Sequence, residues 1–151
     1  MARQRIEHRA TTTADASTVY ALLRDGATWP TWSPIESFEL EREGADEREG
    51  IGAVRIFRSG RVTGRDEIVD LVPDRRFAYR HTSSLPVRDY RGEIDLEPTS
   101  TGTAIRWVCT FAPKIPATGW LMRRALDGFV GGLTNGLAEH AAAVEAGRVT
   151  A

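Results

Sequence analysis

Residues 83–96, SSLPVRDYRGEIDL, decide how this chain folds. They set Arg88, Asp89, Arg91, Glu93 and Asp95 among Tyr90, Ile94 and Leu96. A strand turns successive side chains to opposite faces, so Val87, Asp89, Arg91, Glu93 and Asp95 share one side and Arg88, Tyr90, Gly92, Ile94 and Leu96 the other. Past Arg88 the second set is apolar and is expected to face the interior. The acids and Arg91 then form the solvent side, where cross-strand ion pairs contribute only tenths of a kcal/mol each, roughly. This is the wet face of a sheet rather than a catalytic cluster.

The surrounding sequence continues the sheet. IESFELERE, GAVRIFRS, RVTGRDEIVDLV, RFAYRHTSS and TAIRWVCTF are further strand candidates, separated by turn signals such as REGADEREG, SG, PDR, LP and PTSTG. Connections this short favour antiparallel neighbours, because parallel strands need long crossovers. Upstream, QRIEHRATT alternates as a first strand, with Ile6, His8 and Ala10 opposite Glu7, Arg9 and Thr11. TADASTVYALLRDG reads as a helix with Asp15 or Thr13 as its cap, a Val19, Leu22, Leu23 stripe and Gly26 as its stop. ATWPTWSP is a short turn or 3₁₀ segment. From KIPATGW onward the period becomes helical: Met122, Leu126, Phe129, Leu133, Leu137, Ala141 and Val144 mark one face of a long helix. Helices segregated from an antiparallel sheet define the α+β class.

Gly128, Gly131, Gly132 and Gly136 interrupt that last helix. Each interior glycine costs about 1 kcal/mol against alanine. Two readings follow: tolerance, or close packing of the helix on the sheet; or room for a ligand beneath the helix and freedom for it to flex.

At 151 residues the chain is read as one domain, 1–151, long enough to bury a core without disulfides. Net charge is −1, with nineteen Arg and the lone Lys114 interleaved with acids, which gives no footprint for nucleic acid or for an anionic membrane surface. Cys109 is the single cysteine, so neither an intrachain disulfide nor a thiolate cluster is available. MARQRIEHRATTT lacks the apolar run of a signal peptide, and no stretch approaches the roughly 20 apolar residues of a span. A cytoplasmic location without membrane insertion is the expectation, and whether the chain pairs as a homodimer stays open.

Sorting the other strands gives an interior rich in aromatics with a few polar tips. Ile105, Trp107, Cys109 and Phe111 share a face, as do Phe77, Tyr79, His81 and Ser83. In RDEIVDLV the parity is ambiguous, and Glu67, Val69 and Leu71 are expected inside rather than Asp66, Ile68, Asp70 and Val72. In GAVRIFRS either Val54 with Ile56 or Arg55 with Phe57 faces in. A mainly apolar wall with few convergent polar groups describes a small-molecule pocket as well as it describes a packed core.

The element order resembles the START-like, or SRPBCC, helix-grip fold, in which an antiparallel sheet of about seven strands curves around a long C-terminal helix, with two short helices after strand one. More narrowly the chain resembles the bacterial polyketide cyclase/dehydrase and lipid-transport group, through DASTVYALLRDGATWPTWSP, GIGAVRIFR, EIVDLVPDRRFAYR, SSLPVRDYRGEIDLEPTSTGTAIRW and FAPKIPATGW. The resemblance implies a cavity between sheet and terminal helix that takes a hydrophobic small molecule: a lipid, an isoprenoid or a polyketide-like compound. Its expected lining is Trp29 and Trp32 from the short helical turn, and Phe57, Glu67, Tyr79, His81, Tyr90, Trp107 and Phe111 from strands. Trp120, Met122, Leu126, Phe129 and Leu133 are expected from the helix.

No GxSxG elbow, HExxH, Walker-type loop or GxGxxG follows a strand, and no acids or histidines stand at metal-ligand spacing. No cofactor and no metal are expected. His81 with Glu67 or Tyr79 forms the candidate acid/base set. A ligand-binding protein is the leading reading. The alternative is a cofactor-independent cyclase, aromatase or dehydratase, and a protein–protein adaptor is a third option.

Overall fold

The computed structural model describes residues 3–150. Met1, Ala2 and Ala151, the extreme ends of the expected domain, lie outside them. The elements are β1 (Gln4–Thr12), α1 (Ala16–Arg24), a 3₁₀ turn (Gly26–Thr28), α2 (Trp29–Trp32), β2 (Ser37–Arg42), β3 (Val54–Ser59), β4 (Val62–Val72), β5 (Arg76–Ser83), β6 (Val87–Thr99), β7 (Gly102–Pro113) and α3 (Gly119–Glu145). The seven strands form one antiparallel sheet in the order β1-β7-β6-β5-β4-β3-β2. The α+β helix-grip expectation holds, with the long helix across the inner face.

β1 and β2 occupy opposite edges, so α1, the 3₁₀ turn and α2 carry the chain across the full width of the sheet. Asp15 takes the N-cap position of α1, but its carboxylate makes no capping bond. The C-terminal end is held instead by Arg55 of β3, whose side chain is 1% exposed. Its Nη1 donates to Leu23 O at 2.9 Å and its Nη2 to Arg24 O at 2.6 Å. Those carbonyls have no partner within the helix, and a cation also suits the negative end of its dipole. Glu49 lies 3.0 Å from Arg55 Nε and accepts from Gly26 N at 2.9 Å. Burial pushes the Arg55 guanidinium down to about 10, against the opposing charges of Glu49 and Asp66, so it stays charged at neutral pH. Of the two parities open for β3, Arg55 and Phe57 face in.

Two bulges revise the strand faces. In β4 the register shifts between Ile68 and Asp70, where Ile68 pairs with Tyr79 and Asp70 with Ala78. The extra residue, Val69, puts Asp66 and Ile68 on the inner face and lets Leu71 return to it beyond the bulge. Glu67 therefore points outward, 3.6 Å from Arg80 and 3.7 Å from Arg42. In β6 the register shifts between Arg88 and Arg91, with Asp89 at φ 52°, so Val87 is buried alongside Tyr90 rather than exposed with the acids. Beyond that bulge the charges of the 83–96 stretch do lie on the wet face. Arg76 Nε meets Asp95 at 2.8 Å and Glu93 at 3.5 Å, and Arg106 reaches Glu7 at 3.2 Å.

Candidate functional site

Between the inner face of the sheet and the first half of α3 lies a hollow of about 350 Å³. Trp29, Ile35 and Phe57 wall one side, with Trp29 and Phe57 stacked at 4.9 Å between centroids. Tyr79, His81 and Tyr90 make its floor, Ser59, Val62 and Leu85 its rim, and Met122, Ala125, Leu126, Phe129 and Leu133 its roof. The roof residues recur at three- and four-residue steps, the one apolar stripe of α3 that faces the sheet. A wider depression of about 1000 Å³ lies on the opposite side of the sheet. It is more open to solvent, and Arg76, Asp95 and Arg106 in its lining are ion-paired with one another, so the apolar hollow under α3 is the candidate site.

The polar chemistry of the hollow is concentrated in one pair. His81 Nδ1 lies 2.6 Å from Asp66 Oδ1, and the ring donates to the carboxylate from that nitrogen. Register sets the pair directly across β4 and β5. The imidazole lies over Gly64, where a Cβ would overlap it, so glycine makes room for the ring. Burial alone would lower the affinity of His81 for a proton; the charge of Asp66 and its hydrogen bond outweigh that and raise the pKa above its ordinary value. With Nδ1 engaged, Nε2 is the nitrogen left to exchange a proton or hydrogen-bond with a guest.

Tyr79 presents its ring to the hollow but not its hydroxyl. Trp107 Nε1 donates to that oxygen at 3.2 Å, and Cys109 Sγ lies 4.0 Å away. Gly92 leaves the space the phenol fills. Burial, then the neighbouring Cys109 and Tyr90, hold the Tyr79 phenol well above its ordinary range, and burial pushes the Cys109 thiol up to about 11. Tyr90 stacks on Phe111 at 5.8 Å and packs against His81 at 4.9 Å.

Of the residues expected to line the cavity, Trp29, Phe57, Tyr79, His81, Tyr90, Met122, Leu126, Phe129 and Leu133 do so. Five do not. Glu67 is turned out by the β4 bulge. Trp107 and Phe111 have the right parity but are fully buried behind the floor. Trp32 packs at 4.8 Å against the far side of Trp29. Trp120 is 60% exposed, because two residues along a helix is a rotation of about 200° from Met122. Asp66, Ser59, Val62, Gly64, Ile35, Leu85 and Ala125 were not anticipated. The expected acid/base set thus becomes His81 with Asp66. The glycines of α3 do not open the hollow: Gly136 abuts the Trp32 carbonyl, Gly131 faces the His8 ring and Gly128 has open space around it. Among the described residues no cluster of three or more His, Cys, Asp or Glu is placed to hold a metal ion, and no helix is long and apolar enough to cross a membrane.

A seven-stranded antiparallel sheet gripping a long C-terminal helix defines the helix-grip class of folds. The family model for polyketide cyclase/dehydrase and lipid transport matches residues 3–145, and the chain belongs to that family. No curated protein matches the sequence. Among solved structures the chain is similar to a START superfamily protein from Mycobacterium smegmatis, with a TM-score of 0.78 and 12% identity over 91% of this chain and 96% of that one. It is similar to the Zhui aromatase/cyclase from a Streptomyces species, with a TM-score of 0.74 and 21% identity over 98% and 100% of the two chains. Norcoclaurine synthase from Thalictrum flavum, in complex with dopamine and hydroxybenzaldehyde, gives a TM-score of 0.71 and 12% identity over 92% and 86%. At these identities the likeness is one of fold.

Proposed function

We propose that this protein binds a hydrophobic small molecule in the hollow under the first half of α3. The observation that carries the proposal is a partly covered hollow of about 350 Å³ whose walls are aromatic and aliphatic except at Asp66, His81 and Ser59. That volume lies at the lower end of the roughly 300–1,000 Å³ of small-molecule cavities, which favours a compact ring compound, polyketide-like or isoprenoid, over a two-chain lipid. Apolar area supplies the affinity, and the His81–Asp66 pair orients the one polar group of the guest. Native mass spectrometry of the purified protein tests this. A retained small molecule that departs from a Leu126→Trp variant supports it; a protein that takes up neither endogenous ligand nor any apolar probe refutes it.

One observation favours a second reading, a cyclase, aromatase or dehydratase. The imidazole of His81 is oriented by a carboxylate and faces the hollow, the arrangement of a general acid/base that needs little besides proximity to accelerate a ring closure or a dehydration. The family description and the aromatase/cyclase neighbour are in keeping with it. The test is turnover of a reactive polyketide-like substrate: His81→Ala abolishes it with binding retained if the pair is catalytic, and leaves it unchanged if the hollow only holds its guest.

A further inference from the structure

Of the six large apolar side chains left exposed among the described residues, Ile51, Val72 and Val149 stand apart from one another in the sequence, and the other three fall within seven residues. Ile115 is 53% exposed, Trp120 60% and Leu121 50%, all on the β7–α3 connection or the first turn of α3. Two other segments, 86–89 and 3–4, meet this one there. Lys114 N donates to Pro86 O at 2.9 Å, Arg88 pairs in register with Ala112, and Gly119 packs against the Gln4 side chain. Segments 3–4, 86–89 and 112–126 together hold five cations, Arg3, Arg88, Lys114, Arg123 and Arg124, and one acid, Asp89. All five cations are exposed, and among the described residues none makes an ion pair. In a chain of net charge −1, twelve of whose nineteen arginines are ion-paired, this is a separate basic rim around protruding apolar tips.

We propose that this rim docks on an anionic lipid bilayer surface. Ile115, Trp120 and Leu121 enter the boundary between headgroups and acyl chains, where an indole is best accommodated, and the five cations meet lipid phosphates. The contact is peripheral, with no segment crossing the bilayer. An acidic protein would have to supply a recess for each of the three protruding side chains; a bilayer needs none. Docking also sets the rim of the hollow against the lipid. Met122 follows Leu121 in α3, Leu85 precedes Pro86, and both line the hollow. An apolar guest thus enters or leaves without crossing bulk water.

Co-sedimentation of the full chain with vesicles of phosphatidylcholine alone, or with one-third phosphatidylglycerol, tests the proposal. Association only with the anionic vesicles is expected. Trp29, Trp32 and Trp107 are buried, so quenching of the indole emission by brominated lipids reports on Trp120. A double Arg123→Gln, Arg124→Gln variant binds roughly 30-fold more weakly, since each cation near such a surface contributes about fivefold. Trp120→Ser with Leu121→Ser loses association at any charge density. Unchanged circular dichroism and unchanged uptake of an apolar fluorescent probe show that both variants stay folded with the hollow intact. Equal binding to neutral vesicles, no binding to either, or self-association of the free chain that Trp120→Ser abolishes overturns the proposal, the last by assigning the rim to a second copy of this chain.

Discussion

The two halves of α3 cover the same sheet and do opposite things. Along the second half, Leu137 and Ala141 are fully buried, and Gly136 lets the helix touch the α2 backbone at Trp32. Trp107 closes the space below, edge-on to Trp29 at 5.8 Å. Along the first half, Met122, Leu126 and Phe129 are only partly buried and roof a void. Both halves carry the same apolar stripe, so hydrophobic periodicity does not separate them. What does is the helix's distance from its neighbours: the glycine notch draws the second half close, and large side chains on α3, facing the Trp29, Phe57 and Tyr90 rings, prop the first half away. Close packing and empty space are divided along one helix.

Truncation gives the largest expected contrast. Trp107→Ala removes a fully packed indole and costs about 3–5 kcal/mol in a denaturant melt, whereas Phe129→Ala, already bordering empty space, costs well under half of that. Equal losses would mean the hollow collapses in solution. Next come the glycines. Gly136→Ala drives a methyl into the Trp32 carbonyl and costs about 1–3 kcal/mol, while Gly128→Ala meets nothing and gains about 1 kcal/mol of helix propensity. Filling the hollow with Leu126→Trp weakens uptake of an apolar fluorescent probe at least tenfold, a loss of about 1.4 kcal/mol in binding, while the melting midpoint moves little. The smallest effect is one of pH. Because the pKa of His81 is raised in the folded state, its pair with Asp66 stabilises fully below the unfolded value near 6.5 and loses that contribution as pH climbs through the folded value. Asp66→Asn flattens that part of the stability–pH profile; an unaltered profile would show that the pair is not formed.

The strand order, the long helix and the aromatic interior were legible because alternation and helical period survive in a single sequence. The errors have local causes. A bulge adds one residue and exchanges the two faces of a strand, so β4 carried contradictory parity and Glu67 was chosen over Asp66. The partner of His81 was hidden for the same reason: it depends on register across two strands, which composition does not encode. Alternation left two parities open in β3, and an arginine between Val54 and Ile56 is placed inward only once α1 is seen to end above it. Trp120 was readable and misread, because the phase that places Met122 and Leu126 inward places it outward. Trp107 and Phe111 mark a harder limit, in that parity tells which side of the sheet a residue is on but not whether protein or a guest covers it.

Pairing of the first strand with the last has a consequence for biogenesis. Gln4 is opposite Phe111, and Thr12 opposite Thr103. Contacts that span most of the sequence form slowly, since the chain between them must be ordered first. During synthesis β1 waits for its neighbour until nearly all strands have left the ribosome, and the roof follows them. No chamber exists until α3 has settled on the sheet, so any guest is acquired after that step.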